Sequence, residues 1–319
     1  MDKVIGGVLN IQEPTQTRNY DLQDDILEDF LRGIGSRVIR LKTGLWESMG
    51  CKVFQPVKIN GPMDLSESEI KELWKNGSFF LRYPVPSDSI GVPSFIHLLT
   101  DKDYDLDKVP SSQRRRDIRR SFKLCCVEQV SIKDILKTGL DLIPDTMLRQ
   151  GRPWEPWVTQ WWKKYFELAS ENPLFEAWAA FEGNRLGAYR IDLIYRGGCL
   201  AQVIFNRAES LRMKVMDAMT FVATREVIRR PEIEFILLGI RGRFADVPTL
   251  DRFKESIGFK KLEIKERIEA CPKFRLMFQS DSVCHAIPWL LKKFYTKSYS
   301  ADALCWAIQS LQDQRSTKC

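Results

Sequence analysis

Three long strand candidates follow one another with no helix between them, and this run limits what the 319-residue chain can fold into. The segments "LFEAWAAFEG", "NRLGAYRIDLIYRG" and "GCLAQVIFNRAE" are separated by Gly-Asn and Gly-Gly pairs, the turn chemistry that joins antiparallel neighbours. After them comes "LRMKVMDAMTFVATREVIRR", whose Leu211, Val215, Met219 and Phe221/Val222 make an apolar helix face that Pro231 terminates. The next segment, "IEFILLGI", is almost uniformly apolar, the pattern of a strand buried on both faces of a sheet. "TLDRFKESIGFKKLEI" closes the series. Thr249 and Asp251 are N-cap candidates and Gly258 falls just past the helix end, so this stretch reads as helix, tight turn and strand.

Upstream, "LCCVEQV" reads as a strand, "SIKDILKTGLDLI" as a helix, and "EPWVTQWWKKYFELAS" as a second helix with Trp157, Trp161, Phe166 and Leu168 on or near one face. The order is strand, two helices, three antiparallel strands, helix, central strand, helix, strand. It defines an α/β fold, an α+β mixed sheet with helices on its faces. In the first third, "DLQDDILEDFLRGIGS" reads as a helix ending at Gly33, and "SFFLRYPV" and "SFIHLL" as short strands. The charged stretch "DKDYDLDKVP" ends in Pro110 and sets a boundary. The expected organisation is a flexible start at 1–20, a smaller N-terminal α/β lobe at 21–110, the main domain at 111–280 and a C-terminal helical extension at 281–319. The extension reads as a packing helix pair or as a partner-binding appendage.

With 44% hydrophobic and 11% aromatic residues the chain has ample material for packed cores. No apolar run follows Lys3, and nowhere do about 18 uncharged apolar residues occur in succession, so neither a secretory leader nor a spanning helix is expected and the location is read as cytoplasmic. Eight cysteines lack a CxxC pair and the two histidines are far apart, so no metal is expected. The net charge of +7 fits a phosphate-bearing ligand without demanding nucleic acid. Its densest point is "SSQRRRDIRRSFK", a helix capped by Ser111 or Ser112. Arg115, Arg116 and Arg119 there are substrate-binding candidates for a diphosphate or a tRNA backbone; a solvated basic helix is the alternative. The tryptophans of "RPWEPWVTQWW" read as core packing, or as a surface for a base or a membrane interface.

Proton-transfer chemistry needs titratable side chains set among apolar neighbours, and the strand run offers candidates. Alternation in "RLGAYRIDLIY" places Arg190 and Asp192 on one face and Tyr189, Ile191, Leu193 and Tyr195 on the other. Asp192 is a candidate base or amine anchor whose pKa burial would raise; an Arg190–Asp192 pair on a solvated face is the alternative. Tyr189 and Glu209 complete the catalytic candidates, although Glu209 also suits the dipole of the helix that follows it. Asn206 is a candidate for holding a substrate carbonyl, or a turn residue.

The order of elements, with "FKESIGF" as last helix and Gly-Phe turn, resembles the GNAT acyltransferase superfamily. The basic "RRRDIRR" motif behind a shorter α/β region resembles its FemAB-like branch, in which two GNAT-type lobes are fused. The resemblance implies transfer of an acyl or aminoacyl group from an activated thioester or ester to a small-molecule or peptide amine. It implies acyl-CoA as co-substrate, or aminoacyl-tRNA, with the last helix beside the donor cleft. Where the family has a glycine-rich pyrophosphate turn, this chain has "FNRAESLRMK", which assigns Arg207, Ser210, Leu211 and Arg212 to the donor through helix amides and basic side chains. Lys254 stands where many members carry a tyrosine general acid; FemAB-like enzymes often have lysine there, suited to a phosphate or carboxylate. The alternative from another class is a catalytically silent GNAT-like module binding nucleic acid or an anionic surface.

Overall fold

The computed structural model describes residues 20–49, 52–57, 60–151, 154–240, 248–275, 280–294 and 299–316. The start expected at 1–20 lies outside them apart from Tyr20, which opens the first helix. Helix α1 (Tyr20–Gly33) leads into strands β1 (Val38–Leu41), β2 (Gly44–Ser48) and β3 (Val53–Pro56), then α2 (Glu67–Lys75), β4 (Phe80–Val85) and β5 (Val92–Leu99). Next come α3 (Ser112–Ser121), β6 (Cys126–Val130), α4 (Ile132–Thr138), α5 (Leu142–Arg149) and α6 (Pro156–Ser170). The strand run is β7 (Phe175–Glu182), β8 (Arg185–Tyr195) and β9 (Gly198–Asn206), followed by α7 (Val215–Ile228), β10 (Phe235–Ile240), α8 (Pro248–Ser256) and β11 (Lys260–Ala270). Helices α9 (Pro272–Arg275), α10 (Asp281–Phe294) and α11 (Tyr299–Ser316) end the chain.

Local chemistry accounts for several of these boundaries. Ser111 caps α3, its hydroxyl accepting from the Arg114 amide at 3.3 Å, and Ser66 and Glu69 form a reciprocal capping box on α2. Gly258 has φ of +116°, and a Cβ there would stand 2.9 Å from the Tyr104 ring. The turn after α8 therefore needs glycine both for its left-handed backbone and for the aromatic ring packed on it. Phe259, next in sequence, is buried in the core.

Among the described residues all the strands join one eleven-stranded sheet in the order β1-β2-β3-β4-β11-β5-β10-β9-β8-β7-β6. Only β3–β4 and β9–β10 pair in parallel. The expected boundary near residue 110 does not divide this sheet. Strand β5 from the first third is inserted between β10 and β11, and β4 flanks the other edge of β11. The insertion is held by apolar packing, because Ile96 and Leu98 share a core with Leu237 and Ile264 on one face. On the other face Leu99 packs with Ile236, Ile257 and Phe259.

Helices α1, α4, α5 and α6 cover one face of the central strands, and α3, α7 and α8 cover the other. On α6 the buried residues are Tyr165, Phe166 and Ala169, with Trp162 packed against them. The inward stripe therefore starts at 162 and leaves Trp157 and Trp161 59% and 38% exposed, so the core-packing expectation holds for Trp162 and not for those two. The helix expected over "SIKDILKTGLDLI" is two helices, α4 and α5. The C-terminal pair packs on the β3–β4–β11 region, where Cys284, Ala307 and Ile308 meet Val53, Phe80 and Ile268. Gln314 also accepts from the Ile268 amide at 3.0 Å.

Candidate functional site

Two parallel strands part at the centre of the sheet. Strand β10 pairs with β9 only through Phe235↔Gly198, Ile236↔Cys199 and Leu237↔Leu200, while β9 runs on to Asn206. A parallel ladder ordinarily continues with evenly spaced bonds, and irregularities on both strands end this one. The β8–β9 register shifts between Ile191 and Asp192, which pair with Val203 and Ala201 and leave Gln202 as an extra residue. The β10–β5 register shifts between Leu237 and Ile240, around Gly239 at φ +77°. Bulges end pairing and re-aim side chains. Gln202 is exposed although strands lie on both sides of β9. At the closed root, a Cβ on Gly198 would stand 2.3 Å from the Phe235 ring; only glycine lets the strands meet there.

Lys254 marks the β10 side of the gap. It is 5% exposed, and its Nζ lies 3.5 Å from where a Cβ on Gly239 would stand. Among the described residues the carboxylate paired with it is Asp251 at 4.0 Å. Burial pushes the Lys254 pKa below its ordinary value, with the Asp251 charge opposing the shift. Beside it on β5, His97 is fully buried, and neither ring nitrogen has a hydrogen-bond partner among the described residues. Burial and the Lys254 charge lower the His97 pKa against the pull of Asp251 and Glu255.

The β9 end of the gap is fastened to α5. Thr146 Oγ1 donates to the Asn206 carbonyl at 2.9 Å and accepts from its amide at 2.9 Å, and Arg149 donates to the Asn206 side chain. Arg207 pairs with Asp141 at 2.6 Å and donates to the Leu186 carbonyl at 2.9 Å. Asn206 and Arg207 thus serve their own neighbours. The helix expected from 210 begins at Val215: residues Glu209–Met213 form a 3₁₀ turn, and Lys214 follows with φ of +59°. Ser210 is buried with no hydrogen-bond partner for its hydroxyl among the described residues, Leu211 is half-buried and Arg212 is exposed. Glu209 is an exposed rim residue paired with Arg185 at 2.6 Å.

The alternation in β8 is as expected: Tyr189, Ile191, Leu193 and Tyr195 lie in one core, and Arg190 and Asp192 face the other. The solvated setting expected for the pair is corrected, because α7 roofs that face. Arg190 and Asp192 are both 0% exposed and joined at 2.6 Å, and Arg190 also donates to Thr224 at 3.1 Å. Burial raises the Asp192 pKa, with Arg190 opposing. A carboxylate sealed under a helix and clamped by Arg190 has no open path to a substrate. Tyr189 is equally enclosed, against Phe166 and Phe205, and burial raises its pKa.

The basic helix divides its residues between two tasks. Arg114 pairs with Asp217 and lies 4.8 Å over the Phe253 ring, joining α3 to α7 and α8. Arg115 donates to the Val109 carbonyl at 2.6 Å and Arg116 to Gln113 at 2.7 Å. Arg119, Arg120 and Lys123 are exposed. The residues that pattern reading overlooked are Gln202 and His97. Each had a signal, a polar residue interrupting an apolar strand in "GCLAQVIF" and in "SFIHLL". Among the described residues no group of three or more His, Cys, Asp or Glu side chains could hold a metal ion, and no helix is long and apolar enough to cross a membrane.

The large mixed sheet with helices on its faces has a GNAT/FemAB-like fold, as the similarity to solved structures shows. The chain is similar to the C-terminal domain (DUF2156) of a protein from Agrobacterium fabrum assigned as a lysylphosphatidylglycerol synthetase, with a TM-score of 0.55, 12% identity and coverage of 82% of this chain and 96% of that one. It is similar also to FemX, with a TM-score of 0.54, 10% identity and coverage of 79% and 93%. At such identities the likeness is one of fold. No protein-family model and no curated protein sequence matches the chain.

Proposed function

We propose that this protein transfers an acyl or aminoacyl group from an activated thioester or ester to an amine, with acyl-CoA as the donor lying in the gap between β9 and β10. The observation that carries this reading is the parting of the strands beyond Leu200 and Leu237, with Lys254 buried at its edge. Past that point β9 has no described strand partner on its β10 side, and in this reading its backbone groups there meet the donor's amide-like chain. In this reading Lys254 donates to the acyl carbonyl oxygen, where a group held out of water acts most strongly on developing charge. Ser210 and Arg212 lie beside the donor's phosphates, and Lys214 adds charge at the start of α7. Attack by the amine nitrogen forms the C–N bond and expels thiolate, which takes up a proton. The Arg190–Asp192 pair braces β8 beneath α7 and takes no part in the chemistry. The setting is cytoplasmic, where thiols such as Cys199 remain reduced.

The test is the melting temperature with CoA, acetyl-CoA and a long-chain acyl-CoA, for the wild type and Lys254→Ala. Ligand at about 100 times its dissociation constant adds roughly 2.7 kcal/mol, which for a chain of this size moves the transition by roughly 4 °C. A shift with one thioester that Lys254→Ala loses supports the reading, and no shift with any of the three removes acyl-CoA as donor.

A second reading has its own observation. Arg119 and Arg120 stand exposed on α3 and Lys123 just past its end, and α3 packs along α7, so this face would also suit an aminoacyl-tRNA donor or a silent anion-binding module. Binding of bulk tRNA that weakens steeply with salt would favour it, since each neutralised phosphate steepens that slope.

A further inference from the structure

A groove of about 620 Å³ runs between α8 and the β5–β11 pair, with Phe95, Asp251, Glu255 and Lys261 in its walls. Behind its Asp251–Glu255 wall, and not itself a lining residue, lies an unusual group. His97 is 0% exposed with neither ring nitrogen hydrogen-bonded among the described residues, yet Nδ1 lies 4.0 Å from Asp251 and Nε2 lies 3.6 Å from Glu255. A buried polar group without a partner costs about 1–3 kcal/mol, and folded chains retain one where something else completes it. Asp251 and Glu255 stand four residues apart, on one face of α8. Their side chains are 26% and 49% exposed.

Of the cations that line the groove, Arg252 stands on α8 between the two carboxylates in sequence, and the two lysines of β11 have other engagements. Lys261, opposite His97 in register, lies 4.4 Å over the Phe95 ring, and Lys265 donates to the Ser89 carbonyl at 2.9 Å. Lys254 faces the gap. The groups around His97 are therefore Asp251, Lys254 and Glu255 from α8, Lys261 from β11 and the Phe95 ring from β5, which meets the imidazole edge to face at 5.2 Å. Asp251 stands 4.0 Å from both His97 and Lys254, so one side chain separates the groove from the gap.

We infer that the groove is the acceptor subsite: it seats a primary ammonium group between Asp251 and Glu255, and Glu255 relays to His97, 3.6 Å behind it, the proton that the amine must lose before it attacks. The inference rests on the transfer reading above and names its acceptor class. The first step is R–NH3+ plus neutral His97 giving R–NH2 and protonated His97. The C–N bond then forms, the C–S bond breaks, and the thiolate takes the second proton of the attacking nitrogen. One proton per turnover leaves the imidazolium through Glu255, the more exposed carboxylate. Burial keeps the resting ring neutral and able to accept.

The sequence has only two histidines, so the imidazole Cε1–H resonances give a direct readout. In the free protein, propylammonium chloride should shift the His97 resonance saturably, while sodium propionate and sodium chloride should not. Asp251→Asn with Glu255→Gln, isosteric and at partly exposed positions, should weaken that binding at least tenfold. With acetyl-CoA and propylamine, His97→Gln should lower kcat at least 100-fold, within the range of general-base contributions, and leave KM for the amine nearly unchanged. The inference is overturned by an unmoved His97 resonance, by an equal response to propionate, or by binding that survives the double substitution. Because the titration contains no thioester, an acyl-CoA melting shift without ammonium binding would sink this inference alone. Ammonium binding without that shift would sink the donor assignment and leave the groove standing.

Discussion

Replacing Asp192 by alanine should cost stability rather than chemistry, and the size of the loss follows from what the substitution leaves behind. Arg190 is fully buried and draws its compensation from the Asp192 carboxylate at 2.6 Å, with only the Thr224 hydroxyl at 3.1 Å and the Cys199 sulfur at 3.8 Å as further partners. Removing one member of such a pair leaves an uncompensated charge in the interior, a loss of about 3–5 kcal/mol. With a urea slope of roughly 3 kcal/mol/M for a chain of this length, the midpoint should fall by about 1–1.7 M. Urea unfolding followed by far-UV circular dichroism at pH 7 measures it. The double variant Arg190→Met with Asp192→Leu fills the same space without charge, and should recover most of the loss because apolar replacement of a buried pair is often close to neutral. The reasoning fails if Asp192→Ala unfolds at the wild-type midpoint, or if the double variant is as weak as the single one. A variant as stable as wild type but dead in transfer would return Asp192 to the role of base.

Three further outcomes are expected. Burial lowers the Lys254 pKa from 10.5, so between the folded value and 10.5 the unfolded chain binds more protons. Stability carried by this amine is therefore lost as pH falls through the folded value and regained towards 10.5; the wild-type urea midpoint minus that of Lys254→Met should rise from pH 7 to pH 10, and a flat difference would show a hydrated amine. Gly198→Ala drives a methyl to 2.3 Å from the Phe235 ring, an overpacking worth about 1–3 kcal/mol, and Phe235→Leu in the same chain should restore part of the melting temperature. Glu209→Ala removes one exposed ion pair with Arg185 and should change stability by less than about 1 kcal/mol, with acyl-CoA affinity unaltered by isothermal titration; a large loss of affinity would place Glu209 at the donor.

Pattern reading succeeded where one strand or helix carries its own periodicity. The alternation of β8 correctly separated Tyr189, Ile191, Leu193 and Tyr195 from Arg190 and Asp192. It could not reveal that the second face is dry, because the roof is α7, more than twenty residues away. On α6 the same limit appeared as a rotation, with the stripe through Trp162, Tyr165, Phe166 and Ala169 facing inward and Trp157 left outside. Strands β1, β2 and β3 have only four or five residues each, too few for a period-2 pattern to stand out. The gap depends on two local interruptions, Gln202 and Gly239, each of which looks like an isolated exception to an apolar strand.

The least legible feature is also the one that assembles the site. Strand β5 comes from the first third of the chain, yet it pairs with β10 and β11 and brings His97 under α8, against Asp251 and Glu255. Nothing in "SFIHLL" specifies that slot. It is fixed by the space between two strands that appear in the sequence far later, and by apolar faces on both sides that only a strand buried in the sheet can satisfy. A contact of such sequence separation carries a large loop-closure cost before packing rewards it, so β5 should join the sheet only when β10 and β11 are already in place. The groove wall and Lys254's surroundings would then form late and together. On that account the first third is a structural component of the candidate site, and residues 111–280 expressed alone would lack both His97 and the strand that separates β10 from β11.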